Sequence, residues 1–284
     1  MKLEGKQRIF IPPYSTKNKM VIIKKLGIFG MIKKVNLRLI WRGYKIKDKL
    51  KVIVSFFFLG PMRKMRITKK ELLITMKTED GLLICGDKSI NVANENYEKP
   101  IRKFFDIREG VFIDIGANLG KYTLLMAKRL KNKGSVVSIE PEAHTIEILK
   151  KNVEINNLRN VFVVGKACSS KNGKSTLYLE GTKYSGGLHS LKKYGHHVNK
   201  TIIETETLDS IISRLKVKMV GLIKIDVEGS EKEVLIGAKK ILKKYHPKII
   251  CESLDEESEK EIKNLLKKYK YNVQRVNEEN IFAY

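Results

Sequence analysis

The sequence is short of cysteine, of acidic residues and of long apolar runs, and each shortage removes a class of protein. Three cysteines, Cys85, Cys168 and Cys251, stand far apart with no C-x-x-C spacing. Neither a zinc ribbon nor a disulfide framework is indicated, and a reducing cytoplasm is the expected compartment. The longest stretch of apolar and small residues, Val52 to Gly60, is nine residues, too few to cross a bilayer as a helix. No secretory leader is read at the start, where polar and basic residues lead into Pro12 and Pro13.

Acids are outnumbered, 31 against 57 Lys and Arg, for a net charge of +26, and +18 of it lies in the first 70 residues. So basic a segment points to a polyanionic neighbour, either nucleic acid or an anionic membrane surface on the inner face. A general compositional preference for Lys would produce the same excess.

The 284 residues hold one large domain plus an extension, or two modest domains. The spacing predicts a basic, partly amphipathic and mainly helical extension over 1–65, a short β-rich connection over 66–93, and the main domain over 94–284. Between residues 20 and 60, apolar clusters alternate with Lys and Arg pairs. That is the composition of helices lying on a membrane, or of a small helical unit packed on the main domain. Glu79-Asp80-Gly81 between Leu72–Met76 and Leu82–Cys85 reads as a hairpin.

The chain is organised around 111–123, V-F-I-D-I-G-A-N-L-G-K-Y-T. Val111, Phe112, Ile113 and Ile115 surround Asp114 as in a strand buried on both faces, and Tyr122, Leu125, Met126 and Leu130 follow at helical spacing. The glycines therefore sit at a strand-to-helix turn, where ligand and backbone approach closely and helix amides are free. The second strand, Val136–Ile139, ends in Glu140, placed to accept hydrogen bonds from ribose hydroxyls. A third strand, Val161–Val164, precedes Ala167. A loop then carries His189, His196 and His197, whose spacing matches no zinc pattern. Thr207 caps a helix. The fourth strand, Leu222–Val227, leads into K-I-D-V-E-G-S-E, and alternation puts Lys224, Asp226 and Glu228 on one side. A buried Lys needs a partner, and Asp226 is two positions along. A single helix is read over Val234–Leu242, then a strand at 248–251, a helix, and a terminal antiparallel hairpin.

F-I-D-I-G-A-N-L-G at 112–120, S-I-E-P at 138–141, T-L-D-S at 207–210, I-K-I-D-V-E-G-S-E at 223–231 and V-L-I-G-A at 234–238 together resemble the FkbM family of S-adenosylmethionine-dependent methyltransferases. The resemblance covers residues 97–284. It implies an α/β fold of the class I methyltransferase type, Rossmann-like, with a seven-stranded, mostly parallel sheet whose last strand is antiparallel. It also implies that Asp114, Gly116, Asn118 and Gly120 line the methionine side of the cofactor, with Ala117, Tyr122 and Thr123 alongside. Glu140 would hold the ribose, Ala167 would approach the adenine, and Asp226 and Glu228 would stand at the reacting end. The chemistry expected is O-methylation of a sugar, glycan or other small-molecule hydroxyl. Asp226 is the candidate base, assisted by Lys224 or Glu228, with His189 as runner-up. No metal is assigned, although Asp226 and Glu228 could hold a divalent cation. The alternatives are an RNA methyltransferase that uses the basic segment to bind its substrate and a non-catalytic cofactor-binding protein.

Overall fold

A computed structural model describes residues 37–65, 71–86, 89–94, 96, 98–180, 189–194 and 197–284. The expectations for residues before 37 and for His196 lie outside that set. Leu37–Tyr284 form one compact unit.

Asp48 is the reason the basic segment folds against the strands that follow it. From α2 (Ile46–Val54), which follows α1 (Leu37–Arg42), its carboxylate accepts from the Lys45 amide at 3.1 Å and from the Thr75 amide at 3.3 Å. Helix start and strand are thereby clamped together. Leu39 and Val52 then pack with Ile74, Met76 and Leu83. A π turn (Ser55–Leu59) and α3 (Gly60–Lys64) complete this helical layer. The hairpin is present as β1 (Leu73–Thr78) and β2 (Gly81–Gly86), with Thr78 opposite Gly81. Asn152 and Asn156 cover the other edge of β2. Each exchanges amide hydrogen bonds with one β2 residue, Asn152 with Ile84 at 2.6 and 3.0 Å and Asn156 with Leu82 at 2.9 and 2.6 Å, so this edge is paired by side chains.

The main sheet grows outward in both directions from β3 (Gly110–Ile115). On one side lie β4 (Gly134–Ile139) and β5 (Val161–Val164), reached through α4 (Lys121–Leu130) and α5 (Ala143–Ile155). The chain then builds a small separate sheet from β6 (Ala167–Cys168), β7 (Gly173–Glu180) and β8 (His197–Glu206). After α6 (Leu208–Arg214) it returns to the other side of β3 with β9 (Val220–Ile225), α7 (Glu231–Ile236), α8 (Lys239–Tyr245) and β10 (Lys248–Glu252). Past α9 (Glu256–Lys267) come β11 (Val273–Arg275) and β12 (Asn280–Ala283). The strand order is β11-β12-β10-β9-β3-β4-β5, and β12 is antiparallel to both neighbours. The expected seven-stranded, mostly parallel sheet with an antiparallel last strand is present. Helices α6 to α9 cover one face around Ile113, Ile223 and Ile249. On the other face, α4 and the turn before β3 pack Phe105, Tyr122 and Met126 over Phe112 and Leu222.

Three local readings need correction. The helix expected across Val234–Leu242 is two helices. A Cβ on Gly237 would lie 2.1 Å from the Ser169 carbonyl oxygen, and the Asp209 carboxylate accepts from the Lys240 and Ile241 amides, starting α8 as a separate helix. The fourth strand stops at Ile225, and Asp226–Ser230 is a loop with Glu228 at φ +56° and Gly229 at φ +100°. Finally, β8 replaces part of what reads as loop. It pairs along its length with β7, and its Ile202 is exposed, so it carries little of the apolar alternation that marks a strand.

Candidate active site

The sheet order reverses between β3 and β9, and the carboxyl ends of those two strands form the crevice where such sheets hold ligands. Gly116 makes the approach possible. At φ +75° it lies so near the next strand that a Cβ would sit 1.8 Å from the Asp226 carbonyl oxygen. The turn is fixed on its other side because the Gly116 and Ala117 amides both donate to the Ile139 carbonyl at 3.0 Å. Asn118 supplies the left-handed bend at φ +52°, and its amide donates to Glu140 Oε2 at 3.0 Å. Gly120 then opens α4.

Asp114 is buried. Thr123 donates to its Oδ2 at 2.7 Å and lies 2.7 Å from Ser138 Oγ, whereas Oδ1 is shut off from solvent with no hydrogen-bond partner among the described residues. Burial raises the Asp114 pKa, and the nearby Lys224 is the largest influence holding it down. Glu140 is also buried. Its Oε1 accepts from the Glu142 amide at 3.0 Å, and burial lifts its pKa to about 7 against the pull of its two amide donors. Each oxygen keeps a lone pair for a further donor.

These features fit S-adenosylmethionine. An orphaned buried acceptor suits a ligand with a cationic amine, a bridging carboxylate at the end of β4 suits a ribose diol, and the glycine turn leaves room beside backbone amides. Ala167 is buried in β6, just beyond the end of β5. Tyr122 is turned aside. Its hydroxyl donates to Glu98 and its ring stacks on Phe105 at 4.5 Å.

Across the crevice, Lys224 lies opposite Asp114 in the β3–β9 register and donates to Asp226 Oδ2 at 2.7 Å. Its Nζ also sits 5.0 Å from the Tyr122 ring centroid. The Lys224 side chain is 4% exposed, that of Asp226 27%. Burial works to discharge Lys224, but Asp226, Glu98 and Asp114 outweigh it and hold its pKa above the usual lysine range. Lys224 is thus a permanent cation that fixes Asp226. The loop beyond is shaped by Glu231, whose Oε1 accepts from the Val227 and Gly229 amides at 3.1 and 3.0 Å. Burial lifts the Glu231 pKa to about 7. Burial and then the Asp226 charge raise those of Glu228 and Glu252.

His189 is half-buried, and its neighbour Ser190 donates to the Glu228 carbonyl at 2.6 Å, which brings the loop to this end of the crevice. The site thus gathers Asp114, the 116–120 turn, Glu140, Lys224, Asp226 and Glu228, with the His189 segment tethered beside them. Sequence reasoning missed Glu252, Glu231 and Tyr194, whose hydroxyl lies 2.2 Å from where a Cβ on Gly229 would stand. Glu252 ends β10, so the reasoning that singled out Glu140, an acid at a strand's carboxyl end, applies to it equally. Asp226, Glu228 and Glu252 each offer an oxygen within 4.8 Å of the others, the one group among the described residues able to hold a metal ion.

The Methyltransferase FkbM domain family matches residues 114–273. A curated relative, "Methyltransferase 1" of Beauveria bassiana (strain ARSEF 2860), is 27% identical over an alignment of 158 residues that covers 48% of this chain and 63% of that protein. Among solved structures, Methyltransferase FkbM from Methylobacillus flagellatus KT aligns with a TM-score of 0.48 and 14% identity, over 87% of this chain and 57% of that one. Aeropyrum pernix fibrillarin, solved with natively bound S-adenosyl-L-methionine, aligns with a TM-score of 0.41 and 11% identity, over 76% and 100% of the two chains. The chain thus spans less than two thirds of the length of the curated relative and of the solved FkbM methyltransferase.

Proposed function

The chain belongs to the FkbM methyltransferase family, and from that premise we propose that it binds S-adenosylmethionine and methylates a hydroxyl of a sugar, glycan or other small-molecule acceptor. The observation that carries the reading is the meeting of the Gly116 turn and the Lys224–Asp226 pair at the point where the strand order reverses. When bound, the cofactor supplies a methyl group already activated by its sulfonium. What remains for the protein is to align the acceptor and remove its proton. Asp226 suits the removal of the proton, because Lys224 fixes one carboxylate oxygen and the side chain is open enough to reach an acceptor hydroxyl. It takes the hydroxyl proton as the acceptor oxygen takes the methyl. Lys224, held charged, positions Asp226 and takes no proton itself. In this reading Glu228 and the His189 segment, tethered through Ser190 to the Glu228 carbonyl, would contact the acceptor.

The test is Asp226→Asn in the full chain, supplied with labelled cofactor and separated glycan, lipid-linked, RNA and small-molecule fractions. Removing a base lowers turnover about 100-fold or more without a matching loss of cofactor affinity. Turnover at the parent rate would make Asp226 structural.

Glu252 favours a second reading of the same step. Its Oε2 is buried with no hydrogen-bond partner among the described residues, beside Asp226 and Glu228. A divalent cation held by the three would acidify the acceptor hydroxyl directly. Calorimetric titration with Mg²⁺ or Mn²⁺ alone separates the readings. Saturable binding lost in Glu252→Gln supports the metal, and no binding in the parent leaves Asp226 as the base.

A further inference from the structure

The outward side of α2 is an apolar face that the described residues leave uncovered. Ile46, Leu50 and Val54 recur every fourth residue and are 77, 56 and 39% exposed. The π turn carries Phe58, 61% exposed, and α1 brings Trp41, 73% exposed. The opposite side of the same helix is already used: Asp48, Val52, Ser55 and Leu59 are buried, and Val52 packs in the core with Ile74 and Met76.

The helix therefore buries the side that carries Asp48 and Val52 and shows an apolar stripe on the opposite side, with lysines between the two. At about 100° per residue, Lys49 falls on one flank of the exposed stripe and Lys47 on the other, while Lys51, further round, donates to the Leu73 carbonyl at 2.7 Å. Lys49 Nζ lies over the Trp41 ring, 4.8 Å from its centroid. A helix on a water-facing surface needs one apolar stripe. A second, exposed apolar stripe flanked by Lys47 and Lys49 is the pattern of a helix lying in a bilayer interface.

We propose that this face seats the protein on an anionic lipid surface, with Ile46, Leu50, Val54, Phe58 and Trp41 entering the interface and the flanking lysines meeting headgroup phosphates. Charge selects the occupant. A second copy would oppose the same lysines in a chain of net charge +26, whereas anionic headgroups neutralise them. Structured RNA also offers negative charge, but it has no apolar layer to receive aliphatic side chains such as Ile46 and Leu50. No described helix is long and apolar enough to cross a membrane, so the contact is interfacial. This inference stands apart from the methyl-transfer reading, since it concerns a face that the crevice does not use.

The test is co-sedimentation of the full chain with phosphatidylcholine vesicles, with and without phosphatidylserine, across a salt series, beside a gel-shift assay with structured RNA. Binding should require the anionic lipid, weaken with salt and leave a salt-resistant part. Ile46→Glu with Leu50→Glu should lower the partition coefficient at least about tenfold, the scale of moving one leucine out of an apolar phase, with the melting temperature unchanged because both residues are exposed. Lys47→Glu should weaken binding at low salt alone. Undiminished vesicle binding by the double variant would overturn the proposal, placing the contact elsewhere in the chain. RNA binding without vesicle binding, self-association that the double variant abolishes, or a lowered melting temperature that shows the face packed on protein would each overturn it too.

Discussion

Replacing Lys224 with Met removes the cation on which two carboxylates depend and leaves a side chain of similar length in its place. The Lys224 side chain is almost wholly buried and pairs with Asp226 at 2.7 Å. Breaking a buried ion pair by removing one partner costs about 3–5 kcal/mol. Asp226 is 27% exposed and regains some hydration, so the lower end, about 3 kcal/mol, applies. Asp114 adds a dependence on pH. Burial already raises its pKa and Lys224 is what chiefly restrains it, so the variant lets it rise further. A folded-state pKa raised above the unfolded value of about 3.9 means stability falls as pH increases through the gap between the two. The loss of the pair itself is present wherever Asp226 is ionised and Lys224 is charged. Urea unfolding of parent and variant at pH 5 and pH 7.5 reads both effects. A stability loss near 3 kcal/mol, larger at pH 7.5 than at pH 5, is expected. A loss under about 1 kcal/mol, the size of an exposed pair, would refute the claim that Lys224 is a buried structural cation.

Glu231→Gln keeps an acceptor for the Val227 and Gly229 amides but removes a carboxyl whose folded pKa is about 7. Parent stability should therefore fall relative to the variant as pH rises from about 4.3 to 7, by at most about 1.4 kcal/mol per pH unit, and unfolding curves that stay parallel would contradict this. Gly229→Ala places a Cβ 2.2 Å from the Tyr194 hydroxyl at φ +100°; a stability loss of about 1–3 kcal/mol and reduced turnover are expected, and an unchanged melt would show that the loop yields freely.

The central sheet was legible because its strands, buried on both faces, are near-continuous apolar runs and its turns carry glycine or an acid at fixed places. Asp114, Glu140 and Lys224–Asp226 could be placed for the same reason, since each sits at or near the end of such a run. β8 was not legible because its Ile202 faces solvent and its pairing partner, rather than its own alternation, makes it a strand. The break at Gly237 depends on Ser169, distant in the chain, approaching too closely for a side chain. Glu252 became part of the site only once β10 lay beside β9, with Cys251 next to Ile225. In the basic segment, α2 has one buried and one exposed side. Periodicity alone cannot separate them, because Ile46 and Val52 look alike until one is exposed and the other is buried.

The most direct test of the account is calorimetric titration of the purified chain with S-adenosylmethionine, beside Asp114→Asn and Glu140→Ala. The account predicts saturable one-to-one binding in the parent and affinity at least about tenfold weaker in each variant, near 1.4 kcal/mol, with the folded state confirmed by an unchanged circular dichroism spectrum. Parent-like affinity in both variants, or no binding to the parent, would contradict it.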